Sequence, residues 1–161
     1  MSGGCLARRF NTSGNWLEDS EIRKGVYRSA FLDLVIHWAA PDLFKNLTPH
    51  MAKGVDARSE RQELVTCFFI YCDRYMAFRH DVRKFLDSNM DELNTSAHED
   101  RLAGMGAEFD RTMQFIRKFY QKAFYRPDGG KRVPRVRFEA IAVGTALTLR
   151  SDPALKAPSD A

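Results

Sequence analysis

The sequence predicts an all-α fold, an irregular bundle of about six helices. Apolar residues recur every three or four positions through most of the chain, no strand-like alternation persists, and prolines and glycines fall between the periodic stretches. No internal repeat of about 20–50 residues is visible. Residues 1–150 read as a single helical domain, and the tail "SDPALKAPSDA" over 151–161, with two prolines and little bulk, is expected to be disordered.

At the N-terminal end, Asp19 or Ser20 can cap a short helix to about Tyr27, with Ile22 and Val26 on one side. A second helix is expected from Ser29 to Ala40, where Phe31, Leu34, Val35 and Trp38 form a buried stripe, and Pro41 ends it because it lacks a backbone donor. "DLFKNLTPHMAKGVDARS" is a connector with turn signals at Thr48-Pro49 and Gly54 and a helical turn around Leu43 to Leu47. A long helix near 59–78 carries Leu64, Phe68, Tyr71, Cys72, Tyr75 and Phe78 on one face, with Glu60, Arg61 and Glu63 in its first turns. Another from Asp81 to Asn94 lines up Val82, Phe85, Leu86, Met90 and Leu93. Thr95 or Ser96 can cap a long helix near 97–124, with Leu102, Met105, Phe109, Met113, Ile116 and Tyr120 as its stripe. Gly104 and Gly106 inside it each cost up to about 1 kcal/mol relative to alanine, which points to a bend or a close helix contact. "YRPDGGKRVPR" is a turn-rich loop. "VRFEAIAVGTALTLR" could pass in part for a buried strand, but its length favours a last helix with Phe138, Ile141, Ala142, Ala146 and Leu149 inward.

At 161 residues, with 44% hydrophobic and 29% charged residues, the chain can build a core without disulfide or metal. No apolar run approaches bilayer length and the first ten residues lack a signal-peptide core, so no membrane partner and a cytoplasmic location are the expectation. Cys5, Cys67 and Cys72 show no CxxC spacing and read as plain thiols. His37, His50, His80 and His98 stand in no metal-binding frame, so no metal site is expected. "PDGGK" lacks the frame of a phosphate-binding loop, no nucleophile elbow occurs, and Asp87, Asp91 and Glu92 fall on the polar side of an amphipathic helix.

Charge is the most informative feature. The net charge of +4 is mild, yet Arg117, Lys118, Lys122, Arg126, Lys131, Arg132, Arg135 and Arg137 are opposed between 117 and 137 by Asp128 alone. Cations there, Lys131, Arg132, Arg135 and Arg137 above all, can hold nucleic-acid phosphates, and Tyr125 can stack on a base if exposed. An ordinary basic surface remains the competing reading, since the interleaved aromatics fit a buried stripe equally well.

The segment "ARRFNTSGNWLEDSEIRKGVYRSAF" resembles part of the GmrSD restriction endonuclease N-terminal domain family, which is related to ParB-like nucleases. There a Phe-x-Arg-x-Asn motif leads into Thr-Gly-Gly, Leu-x-x-x-Glu-Ile-Arg and Tyr-Arg-x-x-Phe. Arg9 and Asn11 match the Arg and Asn of the first motif, and Leu17, Glu21, Ile22, Arg23, Tyr27, Arg28 and Phe31 match the later ones. Ala7 stands in place of the Phe and Ser13 in place of the first Gly. The similarity continues through "RSERQELVTCFFIYCDRYMAF" and "VRKFLDSNMDELN" to "VPRVRFEAIAVGTAL".

The family's Asp-Gly-Gln-Gln-Arg motif and its His-Asn-His nuclease module do not occur in these 161 residues. The resemblance therefore implies the helical C-terminal portion of a modification-dependent restriction protein directed at phage or other foreign DNA, not catalytic alone. It implies no cofactor in this chain, with nucleoside triphosphate and divalent metal belonging to the complete protein. Implied partners are DNA and a separate polypeptide carrying the ParB-like half. Arg9 and Asn11 would stand at the edge of the site, Arg9 as a charge-assisted donor and Asn11 positioning it, while Glu21 and Arg23, two apart on a helix, take structural roles. A stand-alone DNA- or protein-binding helical module, or one half of a split NTP-dependent nuclease, are the alternatives.

Overall fold

The computed structural model describes residues 29–49, 55–126 and 133–155. Among them are six α-helices and no strand: α1 Ala30–Ala39, α2 Asp42–Leu47, α3 Val55–Arg74, α4 Val82–Ser96, α5 Glu99–Phe119 and α6 Arg135–Ser151, with a 3-10 turn at Tyr75–Ala77 after α3. The fold is the irregular all-α bundle that the periodicity predicts. The expected helix ending near Tyr27 lies outside the described residues, as do residues 156–161; of the tail, Ser151 closes α6 and Pro153–Ala154 form a turn.

Helix α3 is the axis of the bundle, packed against α1 and α6 and touching α4 and α5. Every side chain from Leu64 to Ile70 is buried. Over that stretch the helix is buried on all sides, so the single stripe expected of it was one face of several, and Val65, Cys67, Phe69 and Ile70 supply the others. It ends at Arg74, where φ −133° leaves the helical region, and the tighter 3-10 turn carries Tyr75 and Met76 out to solvent. Tyr71, Phe78 and Phe85 close that corner with ring centroids 5.3 to 5.9 Å apart.

The core is dominated by aromatic rings centred on Phe109 of α5. Its centroid lies 5.1 Å from Phe68, 5.4 Å from Phe44 and 5.8 Å from both Phe69 and Trp38. Tilted and edge-on ring pairs at these separations stabilise beyond the area they bury. Trp38 reaches this cluster because Gly106 lets α1 approach α5: a Cβ there would stand 2.5 Å from the indole nitrogen. Of the two readings of the glycine pair, the close contact applies at Gly106, whereas nothing lies within 4 Å of a Cβ built at Gly104.

Side-chain caps start two of the helices. The Ser29 hydroxyl accepts from the Leu32 amide at α1 and donates to Asn94 of α4, and Asp81 accepts from Lys84 N at 3.0 Å to start α4. The cap expected from Thr95 or Ser96 is not used: α4 runs through both, Thr95 Oγ1 donates back to the Asp91 carbonyl at 2.9 Å, and His98 precedes α5 without a side-chain cap. Glu99 and Asp100 in the first turn of α5 favour its positive end instead. At the close of α2, Thr48 Oγ1 donates to the Phe44 carbonyl at 2.7 Å and receives Arg61 Nε at 3.1 Å.

Charged groups bind the far end of the bundle together. Arg150 of α6 donates Nη2 to Glu108 Oε2 of α5 at 2.7 Å and Nη1 to the Cys72 carbonyl at 2.7 Å, satisfying a carbonyl in the last turn of α3. Asp73 accepts from Arg101 of α5 at 2.7 Å and from Arg74 at 2.9 Å, and Arg74 also meets Glu92 of α4. An Arg150→Ala change is expected to lower stability by about 1–2 kcal/mol in urea unfolding, because it orphans both a carboxylate and a carbonyl while the guanidinium is half-exposed.

Cys67 and Cys72 are buried free thiols. Burial, and then the Glu108 charge, push the Cys72 thiol far above its ordinary pKa. A thiol-disulfide reagent is therefore expected to label both positions only as fast as the chain unfolds, and labelling of Cys67→Ser and Cys72→Ser variants assigns each site.

Candidate nucleic-acid interface

Helix α5 is expected from its pattern to reach Phe124, but it stops five residues earlier. Tyr120 leaves the helix at φ −140°, and two turns come next, closed by Ala123 N to Tyr120 O at 2.8 Å and Tyr125 N to Lys122 O at 3.0 Å. The cause is Phe124, fully buried with its ring 4.8 Å from Phe138 of α6. A straight helix would carry this side chain elsewhere; the turn brings it into the core. Arg137 Nε fixes the turn by donating to the Ala123 carbonyl at 2.6 Å.

The turn leaves a groove of about 580 Å³ between the end of α5 and the outer face of α6. Phe115, Tyr120 and Ala123 line one side and Ala140, Ile141, Gly144, Thr145 and Thr148 the other, with Leu155 and Arg137 also at its surface. Gly144 has no neighbouring atom within 4 Å of where a Cβ would be. Thr148 Oγ1 donates to the Gly144 carbonyl at 2.8 Å, so its hydroxyl is bonded to its own helix.

One cation, Arg137, lines this apolar slot, and others stand on the chain on either side of Tyr120. Arg117 and Lys118 occupy the last turn of α5, where the negative helix end favours them, and Lys122 stands on the turn beyond it; Lys118 and Lys122 are exposed, as is Arg117. Lys118 Nζ lies 5.0 Å from the centre of the Phe119 ring. The aromatic available at the surface is Tyr120, 47% exposed, not Tyr125, which is partly buried; the sequence pattern assigns them the other way round.

The sequence-derived candidates separate under this geometry. Arg137 lines the groove. Arg135 does not: Nε donates to Glu139 at 2.7 Å and Nη1 pairs with Glu63 of α3 at 3.6 Å, while Nη2 is buried without a partner. A cation in the first turn of α6 opposes the helix dipole, and these two carboxylates compensate for it. Arg135 thus ties α6 to α3 and is unsuited to hold a phosphate. Its four-residue spacing to Glu139 was the available signal. Lys131 and Arg132 lie outside the described residues, as do Arg9, Asn11, Glu21 and Arg23. Phe31, the last residue of the family-like segment, is buried in the core with its ring 6.1 Å from Phe69.

No group of three or more His, Cys, Asp or Glu among the described residues could hold a metal ion, and no described helix is long and apolar enough to cross a membrane. Comparison with known protein families, curated proteins and solved structures finds no match to this chain.

Proposed function

We propose that the chain is the helical C-terminal portion of a GmrSD-type modification-dependent restriction protein, acting against phage or other foreign DNA and not catalytic by itself. The observation that carries this reading is the ordered run from Arg9 and Asn11 through Glu21, Ile22, Arg23, Tyr27 and Arg28 to Phe31. Arg61, Arg135 and Arg150 are engaged in joining helices, which agrees with a supporting role.

A ParB-like portion bearing Asp-Gly-Gln-Gln-Arg completes the site in this reading, with Arg9 and Asn11 at its edge. Nucleoside triphosphate and divalent metal belong to that portion, cleavage to a His-Asn-His module, and the assembled protein works in the cytoplasm on DNA. The test is to sequence the DNA on both sides of the gene and translate every frame. An Asp-Gly-Gln-Gln-Arg motif in a neighbouring or interrupted frame is the expected result. Its absence within several kilobases would count against the reading and leave a stand-alone DNA-binding helical module, which the run of cations from Arg117 to Lys122 favours.

A further inference from the structure

We propose that the groove between the end of α5 and α6 binds an unpaired nucleotide of single-stranded nucleic acid, the base entering the apolar slot beside Tyr120 and the phosphates lying against Lys118, Lys122 and Arg137. The inference rests on the shape and charge of the groove and does not require the restriction reading.

The groove has the properties such a ligand needs. Its volume of about 580 Å³ falls within the range of small-molecule sites, and its lining is apolar with few polar groups. A base offers a flat apolar face, and Tyr120, nearly half exposed at the wall, offers a ring to stack on. Glycine weakens a helix, and no neighbouring side chain requires one at Gly144; its effect is to leave the wall of the slot open to something from outside.

Charge selects the occupant. From Arg117 to Lys122 there are three exposed cations and no acid. Arg137 uses Nε on the Ala123 carbonyl and makes no other hydrogen bond within the described residues, so its remaining N–H groups can reach an anion at the rim. A neutral apolar helix would bring no charge to Lys118, Lys122 or Arg137. An intact duplex presents phosphates but buries its base faces, so it would fill the charged rim and leave the slot empty.

The experiment is a fluorescence-anisotropy titration of the full chain with a short labelled oligothymidylate, and with a duplex of equal length, over a range of salt. The single strand is expected to bind more tightly, with a log–log salt slope of about −2, as for three phosphates at roughly −0.7 each. Tyr120→Ala should weaken single-strand binding about tenfold, the effect of one lost stacking contact. Lys118→Ala with Lys122→Ala should flatten the salt slope.

Gly144→Leu fills the slot where there is open space, so it should reduce single-strand binding at least as much as Tyr120→Ala without lowering the melting temperature. No binding at low salt, or equal binding of duplex and single strand with Tyr120→Ala and Gly144→Leu unaffected, overturns the proposal. Displacement of the oligonucleotide by an acidic peptide, with Tyr120→Ala neutral toward the oligonucleotide, would overturn it in favour of a protein partner.

Discussion

Phe109→Ala is expected to destabilise the chain by about 3–5 kcal/mol, the largest effect of any single substitution proposed, and to lower its melting temperature by roughly 6–20 °C. The ring is 2% exposed and is the common neighbour of Phe44, Phe68, Phe69 and Trp38, which come from α2, α3 and α1. Its removal leaves a cavity that four helices would have to close at once, and close-packed aromatic rings relax little. Calorimetry and urea unfolding read the loss directly. Phe109→Leu, which retains much of the volume, should recover more than half of it; equal losses in the two variants would mean that the ring contacts, not the filled volume, hold the cluster together.

A series of three glycines gives the second large effect, and its sign changes along the series. Gly106→Ala places a methyl 2.5 Å from Trp38 Nε1 and 3.0 Å from Cε2, and the indole cannot swing away freely because Phe109 and His37 flank it. Overpacking of this kind costs about 1–3 kcal/mol, which exceeds the helix-propensity gain of just under ~1 kcal/mol. Gly104→Ala, two residues away on the same helix, and Gly144→Ala on α6 meet no atom within 4 Å and should each stabilise by about 0.5–1 kcal/mol. Thermal midpoints of the three variants, measured together, check the assignment. A stabilised Gly106→Ala would show that α1 and α5 do not make this close contact.

Those glycines also show what could be read from sequence. That a close helix contact was one explanation of the Gly104–Gly106 pair is visible in the pattern, but which residue makes it depends on where Trp38 falls. Helices α1 and α4 were legible because each buries one face: Phe31 and Val35, then Leu86, Met90 and Leu93, keep the three-four spacing in the core. Helix α3 was legible as a helix but not as the axis, since burial on every side blurs the periodicity that marks a stripe.

The end of α5 was misplaced for a related reason. The apolar spacing continues through Tyr120 to Phe124, and only the tertiary pull of Phe138 on Phe124 shows that the chain turns after Phe119. The groove depends on that turn and on α6 lying alongside it, two facts of packing with no local signature. Charge was legible as a cluster and not as a set of roles: Arg135 and Arg137 are two residues apart, yet one joins helices and the other faces the groove.

The most direct measurement is nucleoside-triphosphate hydrolysis by the chain co-expressed with a polypeptide carrying the ParB-like Asp-Gly-Gln-Gln-Arg half, compared with each alone. The proposed function predicts a stable complex whose hydrolysis exceeds the sum of the separate parts, with the gain falling at least about tenfold in Arg9→Ala, as for loss of a charge-assisted contact to a phosphate. Hydrolysis no greater than that sum, or a gain that Arg9→Ala and Asn11→Ala leave intact, would contradict it.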